Sequence, residues 1–267
     1  MPLGNIGAFT PTRGNPVRVR ARLMPADTHL EPHRHAWGQL VYCRAGVVRA
    51  FADTPDGTGE TTFIVPPARA LWIAPGVRHA VTALEATELQ TLYIDAQATP
   101  IDGPACKVIV VSGLLRELIP ALDQAAHDDA APERANLLGR LVLDEMQRAP
   151  SLALGVPLPR SGDGDKRLRA LCEAVMEQPD ERATLADWAR RVGASERTAA
   201  RLFRDELGTS YQQWRQQVVL AHALPLLAQG ASVAQAASAC GYASESAFSA
   251  MFKAALGQSP SRFQHVP

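Results

Sequence analysis

Apolar and polar positions alternate over short runs in the first part of the chain. Residues 17–23 alternate strictly, and shorter runs rich in β-branched and aromatic residues follow. These shorter runs are residues 40–42, 47–51, 71–73 and 89–94. Glycine and proline separate the runs at the close spacing of an antiparallel barrel or sandwich. We therefore expect an all-β domain over residues 1–110.

After this region the apolar period changes to 3.6, which predicts two amphipathic helices within residues 111–150. The first apolar stripe consists of Leu114, Leu115, Leu118 and Leu122, and the second of Leu137, Leu138, Leu141, Val142 and Met146. Such a pair can pack only on the neighbouring β-domain, or it can also dimerise. The stripes themselves do not distinguish these two alternatives.

Residues 151–165 show no periodicity and are crowded with proline and glycine. This composition predicts a flexible linker at a domain boundary. Helical periodicity resumes at Lys166 and continues to the C-terminus, so residues 166–267 form a second, all-α domain. The expected fold class is therefore α+β with two domains.

Two short helical patterns meet at Gly241, between Ser232 and Lys253. The first pattern places Val233, Ala236, Ala237 and Cys240 on one face, and the second places Phe248, Met251 and Phe252 on another. Gly241 can supply the positive φ of a tight turn, and Ser244 can cap the next helix. This arrangement predicts a helix-turn-helix.

A second copy of the pattern lies upstream. Gly193 occupies its turn, Ser195 its cap position, and Leu202 and Phe203 anchor its second helix. A shared signature follows each copy, an aromatic and a basic residue and then Gly208 or Gly257. An ordinary small helical domain is the alternative, and the duplication argues against it.

Residues 184–263 resemble the AraC/XylS class of bacterial transcription regulators. The residues that carry this resemblance are Gly241-Tyr242 at the second turn and the closing run Phe252-Lys253, Gly257, Ser259-Pro260 and Phe263. The resemblance implies regulation of transcription, double-stranded DNA as partner and an N-terminal effector domain. It also favours the helical pair of residues 111–150 as the contact of a homodimer.

In a helix-turn-helix the second helix of each copy enters the major groove. The candidate DNA contacts of the first copy are Ser195, Glu196, Arg197, Ala200, Arg201 and Arg204. Those of the second copy are Ser244, Glu245, Ser246, Ser249, Ala250 and Lys253. A helix at 211–228 would be about 27 Å long, close to the ~34 Å between successive groove faces. Pro225 is expected to kink or tighten its last turn.

The second helix of the second copy has Ala250 where related proteins often carry a basic residue. Val219 and His222 likewise stand in the intervening helix where basic residues are common in relatives. We therefore expect the first copy to dominate specificity. We also expect total affinity to be modest and weakly dependent on salt.

His33, His35, Gln39 and His79 form a second constellation, in the β-domain. If His33 and His35 lie in one strand, their imidazoles point to the same face, and all four side chains can converge on one divalent metal ion. With Gly46 and Pro75-Gly76, the pattern resembles the cupin family, except that Gln39 stands where that family usually has glutamate. A neutral amide is a weaker ligand for a hard divalent ion.

Three other interpretations of these histidines remain open. They can hydrogen-bond within the barrel, contact an organic effector directly, or be the remnant of an ancestral enzyme site. Aromatic residues near the site are candidate walls of an effector pocket, although each also suits a plain core. These aromatic residues are Trp37, Tyr42, Trp72 and Tyr93.

Composition limits the other classes of protein. The 267 residues, 46% of them hydrophobic, suffice for two cores, and the formal net charge of zero requires any DNA contact to use a local basic face. Four dispersed cysteines indicate neither a disulfide framework nor a zinc finger. The sequence contains no apolar run of membrane-spanning length and no leader pattern, so we expect a cytoplasmic protein without a membrane partner.

The sequence thus predicts a transcription regulator controlled by a small molecule or metal bound in the N-terminal barrel. The alternative is a metal-dependent cupin enzyme, an oxygenase or isomerase, with a helical appendage. That alternative is less favoured because Gln39 replaces the carboxylate that such chemistry most often uses. We therefore expect a regulator and not an enzyme.

Overall fold

The computed structural model describes residues 7–54, 59–99, 105–126, 132–152, 154–159 and 164–264. The chain divides into two compact units. The N-terminal unit comprises the described parts of 1–52 and 65–153, and the C-terminal unit those of 53–64 and 154–267.

The strands of the described residues are β1 (Val17–Met24), β2 (His29–His33), β3 (Gly38–Ala45), β4 (Val48–Asp53), β5 (Gly59–Val65), β6 (Arg69–Ile73), β7 (His79–Ala83), β8 (Thr87–Ile94), β9 (Cys106–Val110), β10 (Ser151–Leu152) and β11 (Val156–Pro159). The α-helices are α1 (Gly113–Ala125), α2 (Pro132–Arg148), α3 (Lys166–Glu177), α4 (Leu185–Arg191), α5 (Glu196–Leu207), α6 (Tyr211–Ala228), α7 (Val233–Ala239), α8 (Glu245–Leu256) and α9 (Pro260–Gln264). No helix in the described ranges has both the length and the apolar character needed to cross a bilayer.

A six-stranded sheet in the order β1-β8-β3-β6-β9-β10 forms one layer of the N-terminal unit. Its side chains alternate between two faces, and Val17 and Val19 of β1 lie on the face that packs against α1 and α2. Leu115 and Ile119 of α1 and Val142 of α2 are fully buried in this contact. The amphipathic helices therefore cover one face of the sheet and leave the opposite face for other contacts.

Three further strands of this unit lie in the order β4-β7-β2, with antiparallel pairing of β7 to both neighbours. The register places His33 of β2 directly opposite His79 of β7, after an irregularity that follows Leu30. Strand pairing alone thus brings together two of the histidines that are separated by more than forty positions in the chain.

Helices α3 to α9 make up most of the C-terminal unit, and its first core includes the buried side chains of Trp188, Phe203 and Trp214. This unit also contains strand β5, which pairs antiparallel with β11. The all-α description of the second domain is therefore incomplete. Part of the segment assigned to a linker is ordered, since Val156 and Leu158 of β11 belong to the core.

The α+β organisation with a β-rich N-terminal part and a helical C-terminal part is confirmed. The residues that the sequence assigns to five β-runs lie in β1, β3, β4, β6 and β8, except Val47, which directly precedes β4. Strands β2, β5, β7 and β9 were not predicted individually. The loop between the helices of the pair, at 127–131, lies outside the described residues.

Candidate functional site

The first helix-turn-helix motif is built from α4 and α5. Thr184 begins α4 with a capping box, in which its side chain and that of Asp187 each accept from the other's backbone N–H. Gly193 adopts a φ of 71° between the helices. Ser195 then caps α5 by accepting a 3.1 Å hydrogen bond from the Thr198 amide. The cap fixes where α5 begins and hence which side chains its first turn presents.

The second motif, formed by α7 and α8, repeats this local structure. Ser232 and Gln235 form the capping box of α7. Gly241 has a φ of 74°, and Ser244 caps α8 by accepting from the Ala247 amide at 3.2 Å. Helices α5 and α8 end alike, each at a left-handed glycine. The duplication seen in the sequence is therefore a duplication of structure.

Most of the side chains predicted to contact DNA from α5 are exposed. Glu196, Arg197, Arg201 and Arg204 are exposed, Ser195 is exposed and engaged as the cap, and Ala200 is half-buried. Arg201 forms an ion pair of 3.1 Å with Asp205. Within the part of the chain that the structure describes, Arg197 and Arg204 have no carboxylate partner. These two guanidinium groups can therefore reach a phosphate or base without first breaking an ion pair.

Helix α8 presents a weaker basic surface. Glu245, Ser246, Ala250 and Lys253 are exposed, Ser249 is half-buried, and Ser244 serves as the cap. Lys253 is the basic residue of this helix, and it lies in the last turn. A helix that begins with a carboxylate and carries one late lysine would gain little from phosphate neutralisation if it lay in a DNA groove.

A contact that the sequence analysis missed joins the two motifs. Arg182, in the loop before α4, donates a hydrogen bond from Nε to the carbonyl oxygen of Gly241, with a distance of 2.6 Å. A Cβ atom on Gly241 would lie 2.3 Å from the carbonyl oxygen of Asp180 in the same loop. The turn of the second motif is thus fitted against a loop of the first. No local pattern signals a contact between residues so far apart in sequence.

Helix α6 connects the motifs and has the bounds that the sequence predicts, Tyr211–Ala228. Ser210 and Gln213 form its capping box, and Trp214, Leu220 and Leu224 are buried along it. The helix continues past Pro225 for three more residues. Its 18 residues give a length of about 27 Å.

The predicted metal-binding residues come together on the N-terminal unit. His33, His35 and His79 each offer a ring nitrogen within 4.8 Å of the others. The ring centroids of His33 and His79 are 4.3 Å apart, and those of His35 and His79 are 5.1 Å apart. His35 lies beyond the end of β2, in the loop that follows. This loop brings its ring to the cluster, whereas the prediction relied on the alternation of side chains along one strand. We call these three residues with Gln39 the histidine cluster.

Each imidazole of the histidine cluster is held in the same way. The Nδ1 atoms of His33, His35 and His79 lie 2.8, 2.7 and 2.9 Å from the backbone carbonyl oxygens of Glu31, Trp37 and Val77. A carbonyl accepts only, so Nδ1 is the protonated nitrogen in all three rings. The Nε2 lone pairs are then available, and that of His79 is buried without a partner. Metal-binding histidines are commonly oriented by such a bond from the other ring nitrogen.

Gln39 faces the same point from β3, with Oε1 2.8 Å from Nε2 of His35. Because His35 already donates through Nδ1, this contact needs either a second proton on the ring or a reversed Gln39 amide. A cation bound between the two atoms would remove that conflict. The donor set of three neutral nitrogens and one amide oxygen suits a divalent transition ion or zinc.

Burial keeps the imidazoles of His33 and His79 neutral. Burial, helped by the neighbouring His33 and His35, lowers the pKa of His79 to about 3. Burial also lowers the pKa of His33. Both rings therefore hold a free lone pair on Nε2 at neutral pH, which is the form that binds a metal.

The four predicted pocket aromatics separate into two groups. Trp37 and Tyr93 lie at the histidine cluster, where the Trp37 ring stacks on His35 at a centroid distance of 5.0 Å and Tyr93 meets His35 edge-on at 5.9 Å. Tyr42 and Trp72 are instead buried in the contact with α1 and α2. They belong to the opposite face of the sheet, and we correct the pocket accordingly.

Two family models match the chain. The AraC-like ligand binding domain matches residues 15–142, and a helix-turn-helix domain matches residues 188–265. The first match includes the histidine cluster, and the second includes α5 and α8. The two sites described above thus lie in the regions that the two models cover.

Two curated relatives of the chain are HTH-type transcriptional regulators. The HTH-type transcriptional regulator NimR of Escherichia coli (strain K12) is 31% identical over 261 residues, which cover 97% of this chain and 92% of that protein. The HTH-type transcriptional regulator RipA of Corynebacterium glutamicum is 29% identical over 126 residues, 47% of this chain and 35% of that protein.

Among solved structures, ToxT from Vibrio cholerae matches with a TM-score of 0.38 and 10% identity, covering 93% of this chain and 98% of that chain. The family assignment rests instead on the two models and on the relative that matches nearly the whole length. The chain belongs to the AraC family of helix-turn-helix transcription regulators, and it joins a ligand-binding domain to a DNA-binding domain.

Proposed function

We propose that this DNA-binding transcription regulator responds to a divalent metal ion held by the histidine cluster. The observation that carries the proposal is the common orientation of the three imidazoles. Each is fixed through Nδ1 to a backbone carbonyl, and the buried Nε2 of His79 has no partner. Leaving a buried polar atom unpaired costs about 1–3 kcal/mol. A ligand that bonded to Nε2 of His79 would remove this cost, so the arrangement favours binding of a ligand.

His33, His35 and His79 would hold the ion through Nε2, and Gln39 through Oε1. The ion would supply a positive charge and a crosslink between side chains of β2, β3 and β7. Binding would therefore favour the arrangement in which these strands bring their ligands together. A ligand changes an equilibrium only by its difference in affinity for the two states. The coupling is reciprocal, and the metal would therefore change the affinity for DNA by the same factor as DNA changes the affinity for the metal.

The histidine cluster favours sensing over catalysis. The groups that face His33 and His79 are other imidazoles, backbone carbonyls and Arg22. A general acid or base with a carboxylate does not occur among these described neighbours, and the neutral Gln39 stands at the fourth position. We expect no turnover of substrate, and we expect the protein to act in the cytoplasm, where it reaches chromosomal DNA.

Helix α5 would provide most of the DNA contacts. Arg197 and Arg201 are one turn apart and exposed, as is Arg204, so they can reach guanine edges or phosphates in one major groove. Helix α8 would add Lys253 and the short polar side chains of its first turn. Specificity would then arise chiefly from the first motif.

The test is fluorescence anisotropy of the full-length protein on DNA from upstream of its own gene. Binding would be measured with chelator, and again after addition of Zn²⁺ or Co²⁺. We expect the dissociation constant to change at least about fivefold between the two states, the lower end of ordinary coupling. His79→Ala should abolish the metal effect and keep DNA binding. Gln39→Glu should strengthen metal binding, because it adds a negative charge to the ligand set.

The matched control is His29→Ala. His29 lies on the same strand as His33, and its Nδ1 atom contacts the Thr82 hydroxyl instead of the cluster. This variant should keep the full metal response. Specific DNA binding that is indifferent to chelator and metal would contradict the proposed sensor, and direct the search to an organic effector. Arg197→Ala should weaken DNA binding by about 1–3 kcal/mol if it reads a base, whereas Arg49→Ala, exposed on β4, should not.

We further propose that the regulator is a homodimer that associates through the helical pair. Leu137 and Leu141 lie four positions apart on α2 and remain 52% and 42% exposed, and Leu114 of α1 is 54% exposed. Exposed leucines one turn apart on a helix are typical of an apolar stripe that packs on a second helix. A second copy of α2 offers the same stripe, as an isologous interface requires.

The oligomeric state can be measured by light scattering after gel filtration. The double variant Leu137→Lys/Leu141→Lys should shift the mass from dimer towards monomer. Leu23→Lys is the control, because Leu23 is 81% exposed and lies on β1, not on the helical pair. Retention of the dimer in the double variant, or a monomer in the unaltered protein, would contradict the proposed interface.

A further inference from the structure

Strand β1 carries a row of arginines on the face of its sheet that points away from the helical pair. Val17 and Val19 pack against α1 and α2, so Arg18, Arg20 and Arg22 share the opposite face. Tyr93 of β8 lies on that same face, since it stands directly across from Arg18. A terminal nitrogen of Arg22 donates to the Tyr93 hydroxyl at 3.3 Å.

Arg22 is a half-buried cation that has no acidic partner within the described part of the chain. Its Nε atom is buried without a hydrogen bond. Among the described residues, the groups that act on its charge are Tyr93, Arg20 and the imidazole of His33, and none of them is a carboxylate. Burial, followed by repulsion from Arg20, lowers the pKa of Arg22. Removing a charge from water without a counter-charge is costly, so this position is energetically incomplete without an anion.

The guanidinium group of Arg22 stands beside the histidine cluster. Its partner Tyr93 contacts both His35, at a centroid distance of 5.9 Å, and Trp37, at 6.2 Å. The Trp37 indole nitrogen is also buried without an acceptor. Two unpaired donors, Arg22 Nε and Trp37 Nε1, therefore belong to side chains that both contact Tyr93. An acceptor with more than one lone pair would satisfy such donors.

We propose that the site beside the histidine cluster binds a small organic carboxylate, recognised by Arg22 and Trp37. The planar guanidinium group matches the two oxygens of a carboxylate, which a point charge such as an ammonium does not. The rings of Trp37 and Tyr93 provide apolar surface for the remainder of the molecule. This inference rests on the proposed function, because it takes the histidine cluster as the effector site and adds an organic ligand of stated chemical class beside the metal ion.

The experiment compares benzoate with its neutral counterpart benzyl alcohol on the full-length, metal-loaded protein. The readout is the Tm in a thermal scan at constant ionic strength. Benzoate should raise Tm by at least about 2 °C more than benzyl alcohol does, and more than inorganic phosphate does. Arg22→Gln should abolish this difference, and Arg22→Lys should retain only part of it. Arg49→Gln is the control, since this exposed arginine of β4 should leave the difference unchanged.

Equal stabilisation by benzoate and benzyl alcohol would overturn the proposal, as would a benzoate effect that survives Arg22→Gln. Equal stabilisation by phosphate would overturn the carboxylate assignment. Far-ultraviolet circular dichroism of Arg22→Gln and Arg22→Lys establishes that both variants are folded. The visible absorption of bound Co²⁺ reports the histidine cluster separately, and Arg22→Gln should leave it intact. If the protein shows the benzoate shift but no metal response, only the metal sensor is contradicted. If it shows the metal response but no benzoate shift, only the carboxylate site is contradicted.

Discussion

The indole nitrogen of Trp214 donates a hydrogen bond of 2.8 Å to the carbonyl oxygen of Pro157. Trp214 lies on α6, between the two helix-turn-helix motifs, and it is fully buried. Pro157 lies on β11, in the segment that the sequence assigns to a linker. The helix that spaces the motifs is therefore tied to a strand within the core of the C-terminal unit.

Trp214→Phe should destabilise the C-terminal unit by about 1–3 kcal/mol. The change removes part of a buried ring and leaves the Pro157 carbonyl without its donor. Guanidinium unfolding followed by circular dichroism measures the loss. Gln212→Ala, at an exposed position two residues earlier on α6, should shift stability by less than about 0.5 kcal/mol. Equal stability of the two variants would show that the bond contributes nothing.

Gly241→Ala tests the contact between the motifs. A β-carbon there would meet the Asp180 carbonyl oxygen at 2.3 Å, and the residue has a φ of 74°. Gly257→Ala is a matched control, because Gly257 has the same φ and no atom within 4 Å of a β-carbon. The left-handed conformation alone costs about 1–2 kcal/mol, and the steric overlap should add a further ~1–3 kcal/mol.

Thermal unfolding and DNA-binding anisotropy would both be measured on these two variants. Gly241→Ala should lower the Tm more than Gly257→Ala does, and should weaken binding to a DNA site that spans both motifs. If the two variants behave alike, the loop that contains Asp180 yields without cost, and the motifs are not held together there.

Ala250→Arg should strengthen DNA binding through the second motif. Ala250 is exposed on α8, and an arginine there would add about one phosphate contact. The slope of log K against log salt should steepen by roughly 0.9. A salt titration by anisotropy measures this slope. Ala228→Arg, at the exposed end of α6, is the control for added charge alone, and an equal effect there would contradict the placement of α8 on DNA.

The cysteines should be inert in the folded protein. Burial raises the pKa of Cys43 and Cys240 to about 12 and raises that of Cys172 as well. Burial likewise raises the pKa of Cys106 to about 12. A raised pKa keeps each thiol protonated far above neutral pH, and the thiolate is the reactive form.

An aromatic disulfide reagent at pH 8 therefore should react slowly with native protein. All four thiols should react after unfolding in guanidinium. Rapid reaction of one thiol before unfolding would show that its surroundings open readily. The reaction is followed by absorbance of the released thiolate.

Local signals were sufficient for the elements whose ends carry capping residues. Helix α6 has its predicted bounds because Ser210 and Gln213 mark its start and an apolar pattern continues to its end. The turns at Gly193 and Gly241 were predictable because a positive φ favours glycine. The histidine cluster was predictable as a set of residues, although His35 reaches it from a loop.

Other features depend on which face of a strand meets which neighbour. Tyr42 and Tyr93 are both aromatic residues in β-runs, but the alternation along each strand does not say which face the helices cover. Strand β2 contains Pro32 and Glu31 within five residues, so its composition does not predict a strand. Arg22 lies in a run of regularly alternating polar and apolar residues. Only the fold places it beside the histidine cluster.

The discontinuity of the C-terminal unit has a consequence for its biosynthesis. Strand β5 leaves the ribosome long before β11, α3 and α6 are made, and Glu60 of β5 forms an ion pair of 3.2 Å with Arg169 of α3. Residues 166 onward therefore cannot complete the contacts of the DNA-binding part by themselves, because β5, which is translated much earlier, contributes to them. A fragment released by cleavage before Lys166 would carry both recognition helices, yet it would lack β5, β11 and the acceptor of the Trp214 indole.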